Sequence, residues 1–182
     1  MQPSTYKYTT FAMLFHWFIA VAVVLTIALA LYLDGLDLGP AKSQALSIHK
    51  SVGIAIFVFT WLRLVWRLTH RPPALPNTMT SLQRIAATAT HSCLYAITIA
   101  MPITGYISVA ARGRETTFFE LFVVPSWVPL DRALSNLTET AHRYGQYAVY
   151  ALVALHVAAA LYHQFVVRDG LLRRMWPGRS PD

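Results

Sequence analysis

Residues 137–167, LTETAHRYGQYAVYALVALHVAAALYHQFVV, carry the reading that decides the fold. The stretch is long and apolar enough to cross a bilayer core of about 30 Å, which takes roughly 20 residues of helix. It also contains His142, His156 and His163, separated by 14 and 7 residues. At about 100° per residue, 14 residues return to within roughly 40° of the starting direction and rise about 21 Å. The three histidines therefore share one helix face, and His142 and His156 stand near opposite sides of a membrane.

Three further stretches qualify as spans. They run from about Phe11 to Leu33, Ala45 to Leu68 and Leu82 to Ala110. The expected fold is an all-α membrane protein, a four-transmembrane-helix bundle forming a single domain over residues 1–182. Pro102 and Gly105 predict a kink in the third span. The chain is 55% hydrophobic and 13% charged, about half the charge of an ordinary soluble domain. The formal charge of +7 does not point to nucleic acid, because the apolar blocks leave no basic stripe on a soluble surface. The first apolar run is too long for a signal-peptide core, and no small-residue cleavage site follows it, so it is expected to remain as the first span.

Loop charge sets the expected orientation. Lys7, Arg67, Arg71, Arg84, Arg168, Arg173, Arg174 and Arg179 flank one side, opposed by Asp169 and Asp182. Lys42, Lys50, Arg112, Arg114, Arg132 and Arg143 on the other side are matched by six acids. The positive-inside rule then places both termini in the cytoplasm, as an even number of spans requires. The 69–81 link, with Pro72, Pro73 and Pro76, reads as an extended strap. The 111–136 link is apolar but too short for a span, and is expected to lie on the outer surface as an interfacial lid.

Six of the seven histidines fall within the spans: His16, His49, His91, His142, His156 and His163. Ionisable groups in hydrocarbon are costly and point to function. His49 and His142 lie at similar depth near the outer side, so they can face each other. His16 lies near the inner side, and spacing leaves its partner open between His156 and His163, with depth slightly favouring His163. Zinc would want four clustered ligands, usually with Cys or carboxylate, and a di-iron bundle needs a set of Glu residues, whereas the spans hold no Asp or Glu apart from Glu139 at the end of the fourth. Opposed imidazoles in apolar surroundings suit a six-coordinate haem iron. The one cysteine, Cys93, excludes covalent c-type haem attachment and reads as a small core residue. His70 reads as solvated. Trp17, Trp61, Trp66 and Trp176 read as interface anchors. Arg63 either pairs with a haem propionate or snorkels to the interface.

An ordered set of short motifs runs the length of the chain. It comprises His16-Trp17, Ile48-His49 with Gly53, Arg63-Leu64-Val65-Trp66-Arg67 and Pro72-Pro73. His91 with Tyr95, Pro102 and Gly105 follows, then His142, Leu155-His156 with Ala159-Ala160, His163, Arg168-Asp169 and Arg173-Arg174-Met175. This set resembles the bacterial cytochrome b561 family and the related cytochrome b subunits of hydrogenases and formate dehydrogenases. The resemblance implies two haem b groups, with axial ligands His49 and His142 on the outer side and His16 and His156 on the inner side. It implies a multi-pass protein of the bacterial inner membrane and an oxidoreductase activity like that of a superoxide:ubiquinone oxidoreductase. Electrons would pass from a periplasmic donor such as superoxide, or from a redox partner protein, to ubiquinone. His91 and His163 are then candidates for the quinone site, each with a packing role as the alternative. A second class stays open, a haem-binding anchor subunit of a larger dehydrogenase or hydrogenase. A transport or structural bundle without haem is the third.

Overall fold

The computed structural model describes residues 7–76 and 78–176; Arg179 and Asp182, which entered the charge comparison, lie outside them. Four long helices dominate: α1 (Thr10–Asp34), α2 (Pro40–Thr69), α3 (Ser81–Ala110) and α4 (Arg132–Tyr162). All four are long and apolar enough to cross a membrane. Their outer surfaces carry large exposed apolar side chains such as Leu14, Val21, Val24, Leu62, Ile85 and Val157. On a soluble monomer so much exposed apolar area would drive association; here it is the lipid-facing surface.

Local chemistry sets the helix ends. Thr9 caps α1 by accepting from the Ala12 N–H (3.3 Å). Thr80 and Gln83 form a reciprocal capping box at the start of α3, which satisfies two otherwise unpaired N–H groups. Asp131 accepts from the Ala133 and Leu134 amides at 2.8 and 3.0 Å. Pro40 opens α2 at a position where a missing N–H costs nothing. The two helices thus begin at Pro40 and Arg132, about five residues ahead of the apolar runs at Ala45 and Leu137. Apolar content marks where a helix enters hydrocarbon, whereas caps mark where it starts.

Close backbone approach is extensive between α1 and α2, α2 and α3, and α3 and α4, and sparse between α4 and either α1 or α2. Side chains cross that wider gap. Ile19, Ala22 and Val23 of α1 cluster with Val52 and Ile56 of α2, and Val149 and Val153 of α4 pack against them. This apolar plug lies between the two histidine levels. The most deeply buried side chains are small and polar: Ser51, Thr60 and Ser135. Ser135 donates to the Ser108 carbonyl across α3–α4 (2.8 Å), as small hydroxyl residues do at membrane helix interfaces. α3 continues as helix through Pro102.

The 111–131 link contains a short antiparallel hairpin, β1 (Thr117–Phe118) and β2 (Phe122–Val123). Its turn places Phe119 and Glu120 at φ +46° and +60°. Non-glycine residues seldom adopt this region. The hairpin is fixed to α2 by Ser51, whose hydroxyl accepts from the Phe119 N–H (2.8 Å) and lies 3.3 Å from the Thr117 carbonyl. At the opposite end α4 passes into one π-helical turn, His163–Val167, then left-handed Arg168 (φ +56°) and a 3-10 turn, Leu172–Met175. That last turn straps across the bundle: the Met175 carbonyl accepts from Trp17 Nε1 (2.7 Å), and the Arg174 carbonyl from the Tyr8 N–H (3.2 Å). These two ends are called the hairpin end and the terminal end below.

Cys93 is a correction to the sequence reading: it is exposed, not in the core. It lies two residues beyond His91, about 200° around the helix. The side of α3 that carries His91 and Tyr95 faces the other helices, so Cys93 faces out. His70 is exposed, with its ring stacked on Trp66 (centroids 3.8 Å apart, 5° between planes).

Candidate functional site

At the hairpin end His49 of α2 faces His142 of α4. Their ring centroids are 6.1 Å apart and their planes 78° apart. His142 Nδ1–H donates to the Met101 carbonyl of α3 (2.9 Å), and the Thr104 hydroxyl lies 3.3 Å from the same nitrogen. A carbonyl only accepts, so Nδ1 carries the proton and Nε2 is left for a ligand. His49 Nδ1 is shielded from solvent and has no hydrogen-bond partner among the described residues.

Both rings line a cavity of about 470 Å³, together with residues of α1, α2, α3, α4 and the hairpin segment. Gly53 and Gly105 open it in different ways. A Cβ on Gly53 would meet nothing within 4 Å, so its absence widens the cavity wall. A Cβ on Gly105 would lie 3.0 Å from His142 Cε1 and 3.1 Å from its Nδ1, so glycine lets the ring lie flat against α3. Lys42, Lys50, Arg112, Arg114 and Arg143 line the cavity against two acids, Asp34 and Glu139. Arg112 is paired with Glu139, Lys42 donates to the Leu36 carbonyl (2.8 Å) and Lys50 to the Glu115 carbonyl (3.2 Å).

At the terminal end His16 of α1 faces His156 of α4, again with centroids 6.1 Å apart, planes 74° apart. His91 of α3 stands on another side of His156, centroids 5.3 Å apart, and its Nδ1–H donates to the Ala87 carbonyl (2.7 Å). His163, the alternative partner for His16 by spacing alone, meets a carboxylate instead: its Nδ1 lies 2.6 Å from Asp169 Oδ2. Asp169 is placed by the Leu171 N–H, which donates to its other oxygen (3.1 Å).

A metal–imidazole bond is about 2 Å and the nitrogen lies about 1 Å from the ring centre, so two imidazoles on opposite sides of one iron have centroids roughly 6 Å apart. Both facing pairs have that spacing. No cluster of three or more His, Cys, Asp or Glu suited to a bare metal ion occurs among the described residues. Ser51, Asp169 and the Met101 carbonyl were missed at the sequence level. A backbone acceptor leaves no residue-type signal, and Ser51 resembles any small residue in a span.

A four-span bundle with facing interior histidines at two levels is the architecture of a membrane cytochrome b. The family comparison agrees: a model described as prokaryotic cytochrome b561 matches residues 7–178, and the chain belongs to that family. Among curated relatives, "Cytochrome b561 homolog 2" of Escherichia coli (strain K12) is 30% identical over 97% of this chain and 94% of its own length. "Cytochrome b561 homolog 1" of the same organism is 29% identical over 91% and 94%. "Probable superoxide oxidase CybB" of Yersinia pestis is 28% identical over 94% and 96%. The chain is thus a multi-pass bacterial membrane protein of a haem b family whose role is electron transfer across the membrane.

Proposed function

We propose that this protein binds two haem b groups, one between His49 and His142 and one between His16 and His156, and conducts electrons from superoxide on the periplasmic side to ubiquinone in the bacterial inner membrane. The observation that carries the reading is the repeated 6.1 Å spacing, at two positions of α4 that stand 14 residues apart on one face. Bound haem supplies one-electron chemistry that no side chain here offers. The chain's own residues hold and orient it. Met101 fixes the His142 tautomer, glycines make room, and the Ile19–Val23 plug with Val52 and Ile56 keeps water from crossing between the levels.

In balance, two superoxide anions each lose one electron and become dioxygen, and one ubiquinone takes both electrons with two protons. The excess of cations over acids around the hairpin-end cavity favours an anionic donor. The basic flanks favour a cytoplasmic position for both termini, and in this reading the quinone-reducing end lies on that side. His91, beside His156, and His163, backed by Asp169, are the proton-carrying side chains at that end. The Yersinia pestis relative bears the name of a superoxide oxidase.

The test is haem quantification on the purified protein. Two haems per chain are expected, falling to one on His49→Ala or His142→Ala and to the other one on His16→Ala or His156→Ala. A colourless wild-type protein would end this reading. Superoxide-driven ubiquinone reduction by the isolated chain then distinguishes the enzyme from an anchor subunit of a larger dehydrogenase or hydrogenase. The anchor reading has one specific support, the strongly exposed Leu121 in the hairpin turn and Trp127 and Leu130 after it.

A further inference from the structure

Arg63 and Arg67 project from α2 at the terminal end over one aromatic ring, that of Tyr95 on α3. Their guanidinium carbons lie 5.4 and 6.0 Å from its centroid. Among the described residues neither arginine is in an ion pair. The Tyr95 hydroxyl is shielded from solvent and has no hydrogen-bond partner among the described residues. All three line a cavity of about 230 Å³ between α1, α2, α3 and the proline strap, and among the described residues no Asp or Glu lines it. A half-buried guanidinium without a counter-charge is costly in a membrane protein. Its fork geometry matches a carboxylate or phosphate, and a phenol adds a further donor.

Register along α2 places this group. Arg63 follows His49 by 14 residues, as His156 follows His142 on α4. The same step returns to nearly the same face about 21 Å further on. So α2 presents Arg63 at the terminal-end histidine level, where α4 presents His156. Ala12, which lines the same cavity, is one turn before His16, and Tyr95 is one turn after His91.

We propose that Arg63 and Tyr95, with Arg67 behind them, form an oxyanion site that binds a propionate carboxylate of the haem held by His16 and His156. The inference rests on the two-haem reading above. A cation at the propionate stabilises the reduced form, which carries one more negative charge. Removing it makes that haem harder to reduce.

The test is a redox titration of the purified dihaem protein, followed by its visible absorption. The terminal-end haem is assigned as the one lost in His16→Ala. Arg63→Gln is expected to lower the reduction equilibrium constant of that haem about tenfold, a fall of about 59 mV for one electron. Arg63→Lys should restore part of the shift, and the hairpin-end haem should not move. If Arg63→Gln sheds the haem, Tyr95→Phe keeps the charge and should lower the constant about threefold. Unchanged potentials with both haems bound would overturn the assignment, as would an equal shift in both. Loss of co-purifying phospholipid phosphate with unchanged potentials would also overturn it and identify a lipid headgroup site. A wild-type protein without haem would instead defeat the underlying two-haem reading, a distinguishable result.

Discussion

His142 donates its Nδ1–H to the carbonyl of Met101, the residue immediately before Pro102 in α3 (2.9 Å). Proline has no N–H to return to the carbonyl four residues earlier, so backbone pairing in this part of α3 is already altered. The Met101 carbonyl itself accepts from the Thr104 hydroxyl (2.9 Å) and from His142. One turn of α3 thereby fixes the direction of an imidazole on α4. Such outer hydrogen bonds orient the ring and raise its basicity as a ligand.

Gly105 tests how closely that ring is seated. A methyl group there would stand 3.0 Å from His142 Cε1, so either the ring or the α3–α4 spacing must shift. Overpacking of this kind costs about 1–3 kcal/mol. Gly105→Ala is expected to weaken haem retention at the His49/His142 pair and leave the His16/His156 pair unchanged. Haem content per chain and the low-spin electron paramagnetic resonance signals of the two haems measure this. Equal loss from both would contradict a local effect.

Height and ring geometry point to different partners for His16. Depth in the membrane slightly favoured His163 as the partner of His16. The rings of His16 and His156 face each other, and His163 is turned to Asp169. His163→Ala should therefore retain two haems, while His156→Ala should retain one. Spectral haem counting on the two variants makes the comparison direct.

The four spans were legible because hydrocarbon demands about 20 apolar residues in a row, and the facing of His49 and His142 because both lie at similar depth; for His16 spacing left His156 and His163 open, and the choice of His156 came from the family resemblance. What stayed hidden depends on backbone or on distant partners. No residue type announces that Phe119 and Glu120 adopt positive φ, since Asn and Gly are the usual residues at such turns. Asp169 read as a loop charge, although its carboxylate is 4% exposed and held against His163. Cys93 was misplaced because composition says nothing about which side of α3 faces inward. Trp17 read as an interface anchor, yet its indole N–H secures the terminal strap.

The buried His163–Asp169 contact should matter for stability more than for haem binding. Both side chains are nearly shielded, at 12% and 4% exposure. Hydrogen bonds to charged groups contribute about 1.5–3 kcal/mol. Asp169→Asn is expected to destabilise the protein by about that amount, seen as a lower thermal unfolding midpoint in detergent, with two haems still bound. An unchanged midpoint would show that the contact is solvent-compensated.

Ser51 ties the hairpin to α2 through its side-chain hydroxyl. It is fully buried, and its hydroxyl touches both the Phe119 N–H and the Thr117 carbonyl, as well as the Ser47 carbonyl (2.9 Å) of its own helix. Ser51→Ala leaves the Phe119 N–H without this acceptor, a loss of about 1–3 kcal/mol. The positive φ values of Phe119 and Glu120 add strain that only such contacts offset. Release should be local, because the four helices pack through other residues. Amide hydrogen exchange at Phe119 is expected to rise roughly tenfold or more, since about 1.4 kcal/mol corresponds to one decade. Exchange in the middle of α2 should stay slow. Because Arg114 and Thr116 of the same segment line the His49/His142 cavity, the variant should also lose the haem at that end more readily to an apo-protein acceptor. Faster exchange without faster haem loss would show that the hairpin covers the site without retaining the ligand.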